Sequence, residues 1–293
     1  MRQKVRKAVI PVAGLGTRML PVTKSVPKEL LPVVNVPAIQ VIVQECLDSG
    51  IEEIVLITSQ GKDAIADHFD YNYALETILS ERSKDDQLAE VRRISEMVRT
   101  VSVRQKKPLG LGHAILCAKD VIGDEPFLVL LPDDIVSSQR PAAAQMLNVY
   151  EQYGTGVVAV MEVPREHVSR YGIVSGENWA DGLYRIRALV EKPEPEFTPS
   201  NLAVIGRYLL PPEIFELLEH TNVGAGGEIQ LTDALGRLAH ERALIGFEFE
   251  GRRYDLGDKL GFLQANIEYG LNDPEIGEDV RAFLRQKLEQ GDV

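Results

Sequence analysis

Residues 8–32 read AVIPVAGLGTRMLPVTKSVPKELLP. The run Lys7–Val12 is almost wholly apolar, as a strand covered on both faces must be. Gly14 and Gly16 break it at once. A glycine-rich turn directly after a strand lets backbone N–H groups approach phosphate oxygens, because no Cβ stands in the way. Two familiar phosphate loops fail here. The dinucleotide fingerprint needs a third glycine where this chain has Met19, and an acidic residue after the second strand, where it has Thr58-Ser59-Gln60. The P-loop needs Gly-Lys-Ser/Thr, and the chain offers Gly16-Thr17-Arg18. What remains is a G-x-G-T-R loop, a proline-punctuated stretch, and Pro27-Lys28-Glu29.

The charge around this loop is unlike the rest. The chain has 293 residues and a net charge of −12, which disfavours nucleic acid and anionic membrane as partners. Yet its first 28 residues carry Arg2, Lys4, Arg6, Lys7, Arg18, Lys24 and Lys28 and no acid. A solubilising tail accounts for Arg2 to Lys7. Arg18 and Lys28 read either as solvated surface or as a cationic site for a small polyanion, and their place around a phosphate-type loop favours the second.

Outward from the loop, strands and helices alternate. Ala38–Ser49 places Ile39, Ile42, Val43, Cys46 and Leu47 on one helical face, with Gly50 where a terminating glycine belongs. Strands are expected at Glu53–Thr58, Val98–Arg104, Phe127–Leu131 and Gly156–Glu162, and helices at Lys62–Phe69, Leu111–Val121 and 141–153. Residues 74–97 are charged and helix-prone and predict a surface excursion. The rhythm predicts an α/β fold with a Rossmann-like, mixed and mostly parallel sheet flanked by helices on both faces. The second half changes character, with strands at Gly172–Ser175, Leu183–Val190 and Ala203–Leu210, then helices near 212–219 and 228–241 and a charged helical end. A single domain over 1–293 is the preferred reading, and a division near residue 163 is the alternative.

Cys46 and Cys117 make no metal-binding pattern and read as reduced thiols. The basic N-terminus and short apolar run resemble a signal peptide, but Pro11 interrupts the run and no small-residue cleavage site follows. No apolar stretch approaches the ~20 residues that span a bilayer. A cytoplasmic protein is expected, without a membrane partner.

The chain resembles the bacterial UTP–glucose-1-phosphate uridylyltransferases over about residues 5–290. The resemblance rests on AGLGTRMLPVTKSVPKELLPVV (13–34), DHFDYNYALE (67–76), QKKPLGLGHA (105–114), LPDD (131–134), YGIV (171–174), VEKP (190–193), PSNLAVIGRYLL (199–210), GEIQLTDA (227–234) and DLGDKLGFLQA (255–265), in that order. It implies a nucleotide-diphospho-sugar transferase fold. It also implies a reaction in which glucose 1-phosphate attacks the α-phosphorus of UTP and pyrophosphate leaves. A thymidylyl- or guanylyltransferase, or a regulatory paralogue without turnover, is the alternative. Against the paralogue stands the presence of Arg18, Lys28, Asp133, Lys192 and Asp255.

By that resemblance, Ala13, Gly14, Leu15, Gly16 and Thr17 hold the nucleotide together with Glu29, and Arg18 and Lys28 contact its phosphates. Gln105 and Gly110 read uracil, a role for which a side-chain amide has both a donor and an acceptor. Glu191 and Lys192 take the glucose and its phosphate, with Gly172 and Val204 beside them. Asp133 and Asp255 hold Mg2+, whose preference is for oxygen ligands. A strand-end aspartate such as Asp133 also reads as a turn or cap. Asp134 is expected to point elsewhere. Neighbours on a strand face opposite ways, so Glu191 and Lys192 require an irregularity, expected at Pro193. His113 reads as structural. The resemblance implies a homodimer or homotetramer, with helices in 258–293 either at a subunit interface or packed on the sheet.

Overall fold

In the computed structural model, which describes residues 2–290, the segment before the glycine loop is strand β1 (Lys7–Pro11). A two-residue hairpin, β2 (Pro32–Val33) and β3 (Val36–Pro37), leads into α1 (Ala38–Asp48). There follow β4 (Glu53–Thr58), α2 (Asp63–Asp67), α3 (Tyr73–Glu81), α4 (Asp85–Glu96), β5 (Arg99–Arg104), α5 (Gly110–Leu116), α6 (Lys119–Ile122) and β6 (Phe127–Leu130). Next come β7 (Asp134–Ser137), α7 (Ala142–Tyr153), β8 (Gly156–Glu162), β9 (Gly172–Ala180), β10 (Leu183–Glu191) and β11 (Leu202–Leu210). The chain closes with α8 (Ile214–Glu219), α9 (Leu231–Glu241), β12 (Leu244–Glu248), β13 (Arg252–Asp255), α10 (Lys259–Asn272) and α11 (Gly277–Glu289).

Nine strands form one sheet in the order β5-β4-β1-β6-β11-β8-β12-β10-β9. The first four are parallel, with Lys7 opposite both Glu53 and Phe127. β11 runs antiparallel between β6 and β8, and the β9–β10 hairpin closes the far edge. Successive side chains alternate between two cores. Ala8, Ile10, Ile54, Leu56, Leu128 and Leu130 face α1 and α7, while Val9, Val55, Ile57, Phe127 and Val129 face α5, α8 and α9. That two-sided burial explains why these strands read as unbroken apolar runs. Each fully buried aliphatic side chain contributes roughly 1.5–3 kcal/mol.

Several elements depart from the sequence reading. The helix expected over 111–121 is two short ones, because the Ala118 N–H reaches back only three residues to Ile115 O at 2.9 Å and tightens the turn. The excursion at 74–97 is the pair α3 and α4, tied by Glu76 and Arg92 at 2.9 Å. β12, the run LIGFE, was not foreseen, since Gly246 and Glu248 leave it neither an unbroken apolar run nor an alternation. It nevertheless fills the slot between β8 and β10.

One buried charge matters for the site. Arg207 on β11 is 1% exposed and pairs with Glu45 of α1 at 2.7 Å. Its Nη1 donates to Leu131 O and Gly206 O at 3.4 and 3.2 Å. The guanidinium thus joins helix, strand and the turn that carries Asp133. Among the described residues no helix is long and apolar enough to cross a membrane.

Candidate active site

The carboxyl ends of β1, β5 and β6 open into an elongated cleft, as parallel sheets dictate. After β1 the chain turns at Gly16, whose φ of 67° is left-handed. Thr23 Oγ1 donates to Gly16 O at 2.8 Å and holds the loop closed. A Cβ on Gly14 would lie 3.6 Å from Lys28 Cε, so the loop sits directly over the Lys28 side chain. Lys28 Nζ reaches Asp133 Oδ2 at 2.6 Å. Burial pulls the Lys28 pKa down, but Asp133 outweighs it and leaves the ammonium above its ordinary range. Burial likewise opposes ionisation of Asp133, and Lys28 with Arg18 brings it below the usual carboxylate range.

Arg18 lies on the turn Thr17–Met19 and stands 3.7 Å from both Asp133 and Asp255. The antiparallel pairing of β13 with β7 sets Asp255 opposite Asp134 and delivers its carboxylate to the cleft. Asp255 is held above its ordinary pKa by burial, with Asp134 and Asp133 adding repulsion against the pull of Arg253. Asp134, expected to point elsewhere, is directed at Arg253 and the β11 backbone but still borders the sugar-side cavity. It is 4% exposed, accepts from Gly206 N at 2.7 Å and pairs with Arg253. Arg253 also donates to Tyr171 OH at 3.1 Å and lies 3.7 Å from Asp255.

The far half of the cleft is built where β9 begins and β10 ends, with Gly172 opposite Glu191. A Cβ on Gly172 would come 3.3 Å from Glu191 Oε2. Glu191 accepts from Thr232 Oγ1 and lies 3.0 Å from Lys192 Nζ. The expected irregularity exists, one residue earlier than Pro193. Lys192 has a φ of 44°, and its N–H donates to Tyr171 O at 2.9 Å. A left-handed non-glycine residue is strained by about 1–2 kcal/mol, and here the twist brings two consecutive side chains to one cavity. Val204 lines the same cavity, where the β11–β8 register slips.

Two cavities therefore meet end to end. One is lined by residues 13–17, Lys28, Gln105 and Gly110. The other is lined by Arg18, Gly172, Glu191, Lys192, Val204 and Asp255. Asp133, Leu111, Leu131 and Glu228 line both. Gln105 follows β5, anchored by its N–H to Thr58 O at 2.8 Å. Its Nε2 donates to Gly110 O at 3.2 Å and to His113 Nδ1 at 2.9 Å.

One expected nucleotide residue is placed elsewhere. Glu29 is 1% exposed, paired with Lys62 at 2.7 Å, and lines neither cavity. Neighbouring Lys28 takes the cleft and Glu29 takes the interior. Glu228, Thr232, Tyr171 and Arg253 were not singled out from sequence. Tyr171 lies in the YGIV segment (171–174), and Glu228 and Thr232 lie in GEIQLTDA (227–234). Arg253 carried no signal of its own, since an Arg two residues before an Asp is common on a solvated strand.

The family model for nucleotidyl transferases matches residues 7–270. The chain is 49% identical over 284 residues to a UTP–glucose-1-phosphate uridylyltransferase of Staphylococcus epidermidis, covering 97% of this chain and 99% of that one. It is 50% identical over 290 residues to one of Bacillus subtilis, covering 99% and 98%. Among solved structures it is similar to a UTP-bound UGPase from Acinetobacter baumannii, with a TM-score of 0.90, 43% identity, and 96% and 99% of the two chains covered. It is also similar to a UDP-glucose pyrophosphorylase complexed with UDP-glucose, with a TM-score of 0.85, 43% identity, and 92% and 100% covered.

Proposed function

This chain belongs to the nucleotidyl transferase family, and on that footing we propose that its cleft joins UTP to glucose 1-phosphate, releasing pyrophosphate and UDP-glucose. The observation that carries this is the pair of cavities meeting at Asp133, with cations spread along both. We take residues 1–293 as one nucleotidyltransferase domain, since a single sheet runs through both halves of the cleft.

The cavity under the Gly14–Gly16 loop takes UTP, with uracil against Gln105 and Gly110 and the phosphates near Arg18 and Lys28. The cavity at Glu191 and Lys192 takes glucose 1-phosphate, the carboxylate accepting from sugar hydroxyls and the ammonium pairing with phosphate. A phosphate oxygen of glucose 1-phosphate attacks the α-phosphorus. The new P–O bond forms as the bond to the β-phosphate oxygen breaks, and pyrophosphate carries that electron pair away. No protein nucleophile takes part, so positioning and charge carry the catalysis.

The substrates bring roughly six negative charges at neutral pH. Arg18, Lys28 and Lys192 offset about half. Asp133 and Asp255 flank Arg18, and both are acids beside a polyanion, which is repulsive unless a further cation lies between. A Cβ on Gly257 would overlap the Arg18 guanidinium and approach Asp133 Oδ2 to 3.0 Å, so glycine lets both side chains pack against that turn. Two carboxylates with phosphate oxygens and water suit Mg2+, and Asp133 and Asp255 are the residues that would hold it. When bound, the ion neutralises charge at the α-phosphate and fixes the in-line geometry.

UTP with glucose 1-phosphate is the preferred pair. Pyrophosphate release measured across nucleoside triphosphates and hexose 1-phosphates checks this, and a higher kcat/KM with dTTP or GTP would overturn it. We place the enzyme in the cytoplasm, a reading supported by its free cysteines. We also assign a subunit interface to the expected 258–293 region, of which 291–293 lie outside the described residues. Leu260, Leu263, Phe283 and Leu288 of α10 and α11 are each more than half exposed. Light scattering at micromolar protein should return a dimer or tetramer, and a monomer refutes the interface.

A further inference from the structure

Two hydrogen bonds decide which end of the Gln105 amide faces the nucleotide. A carbonyl oxygen only accepts, so the contact of 3.2 Å between Gly110 O and the Gln105 amide fixes nitrogen, not oxygen, on that side. The same Nε2 lies 2.9 Å from His113 Nδ1. Nδ1 must then be the acceptor, and the proton of a neutral His113 ring sits on Nε2. Burial, which lowers the imidazole pKa, supports that neutral form. Both amide hydrogens are thus engaged within the protein, and among the described residues Gln105 Oε1 has no hydrogen-bond partner.

The surroundings are built to hold this arrangement. The Ile229 N–H donates to Leu109 O at 2.7 Å, and the Gly112 N–H to Ile229 O at 3.0 Å. These bonds lock the 109–112 turn against the 228–229 segment. Gly110 has a φ of 91°, and a Cβ there would meet Glu228 Cβ at 2.7 Å.

A free acceptor set against N3 of the base matches one pyrimidine and not the other. Uracil carries a donor at N3–H, whereas cytosine has a lone pair at N3. Were the amide turned over, Nε2 would face the base and favour cytosine. We propose that His113 is a positioning residue which, by accepting from Gln105 Nε2, presents Oε1 to the base and so makes the site select uracil over cytosine. This rests on the assignment of Gln105 to the base.

The test compares kcat/KM for UTP and CTP in the parent, His113→Leu, His113→Asn and Gln105→Ala. An asparagine presents an acceptor near the position of Nδ1. His113→Leu should lower the UTP-over-CTP ratio about tenfold, as loss of one orienting hydrogen bond predicts. His113→Asn should recover most of the ratio, and the KM for glucose 1-phosphate should stay unchanged in both. Nitrogen-15 NMR of the parent should show His113 protonated at Nε2. A ring protonated at Nδ1 overturns the inference. So does an unaltered ratio in His113→Leu when Gln105→Ala collapses it, and in that case the uracil assignment survives. If Gln105→Ala itself keeps the parent ratio, the assignment of Gln105 to the base fails, and the inference falls with it.

Discussion

Asp133→Asn lowers kcat at least about a hundredfold while leaving the folded state in place. The carboxylate stands where the two cavities meet, 2.6 Å from Lys28 and 3.7 Å from Arg18. Asparagine keeps the shape and one acceptor but removes the charge that would hold Mg2+ against the α-phosphate. Losing preorganised charge stabilisation at a reacting centre typically costs 10²–10³ in rate, or about 2.7–4 kcal/mol. Asp134→Asn behaves differently. Asp134 is buried against Arg253, so its loss leaves that guanidinium only Tyr171 OH and, at 3.7 Å, Asp255. Removal of one member of a buried pair destabilises by about 3–5 kcal/mol. The neighbouring variants should therefore split, Asp133→Asn failing in kcat and Asp134→Asn in Tm. A Mg2+ titration with thermal unfolding separates them. Full turnover in EDTA, or a greater loss of kcat in Asp134→Asn than in Asp133→Asn, contradicts the metal assignment.

The second large effect is on sugar-phosphate binding. Lys192→Ala should raise the KM for glucose 1-phosphate about thirtyfold and that for UTP little. Lys192 is turned into the cavity by its left-handed backbone and is 3.0 Å from Glu191, with no other anion within ion-pair reach among the described residues. Its ammonium is thus available to a phosphate, and a charge-assisted bond of this kind is worth on the order of 2 kcal/mol. Initial-rate kinetics with each substrate varied in turn reads the split. An unchanged KM for glucose 1-phosphate removes Lys192 from the site.

Most of the parallel half was legible in sequence. KAVIPV, EIVLIT and FLVLL each hold several consecutive apolar residues, as strands covered on both faces do. Gly50 marks the end of α1, and Asp133 follows the end of β6. Tertiary pairing was less legible. β12 shows neither an unbroken apolar run nor an alternation, and its place depends on β8 and β10, far away in sequence. Arg207 sits in an otherwise apolar strand, but nothing local names Glu45 as its partner.

In the candidate site, residue type was easier to read than direction. Lys28 and Glu29 are adjacent, and one faces the cleft while the other pairs with Lys62 inside. Glu191 and Lys192 needed a break in strand geometry that sequence placed one residue late. His113 gave no sign of Gln105, since their contact depends on the turn between them being folded back by the 228–229 segment.

The division of the cleft into a nucleotide half and a sugar half is tested most directly by a crystal structure of the protein with UDP-glucose. Uracil is expected against Gln105 and Gly110, the diphosphate beside Arg18 and Asp133, and glucose against Glu191 and Lys192. A product bound in the reverse sense, or with its glucose away from Glu191 and Lys192, would contradict it.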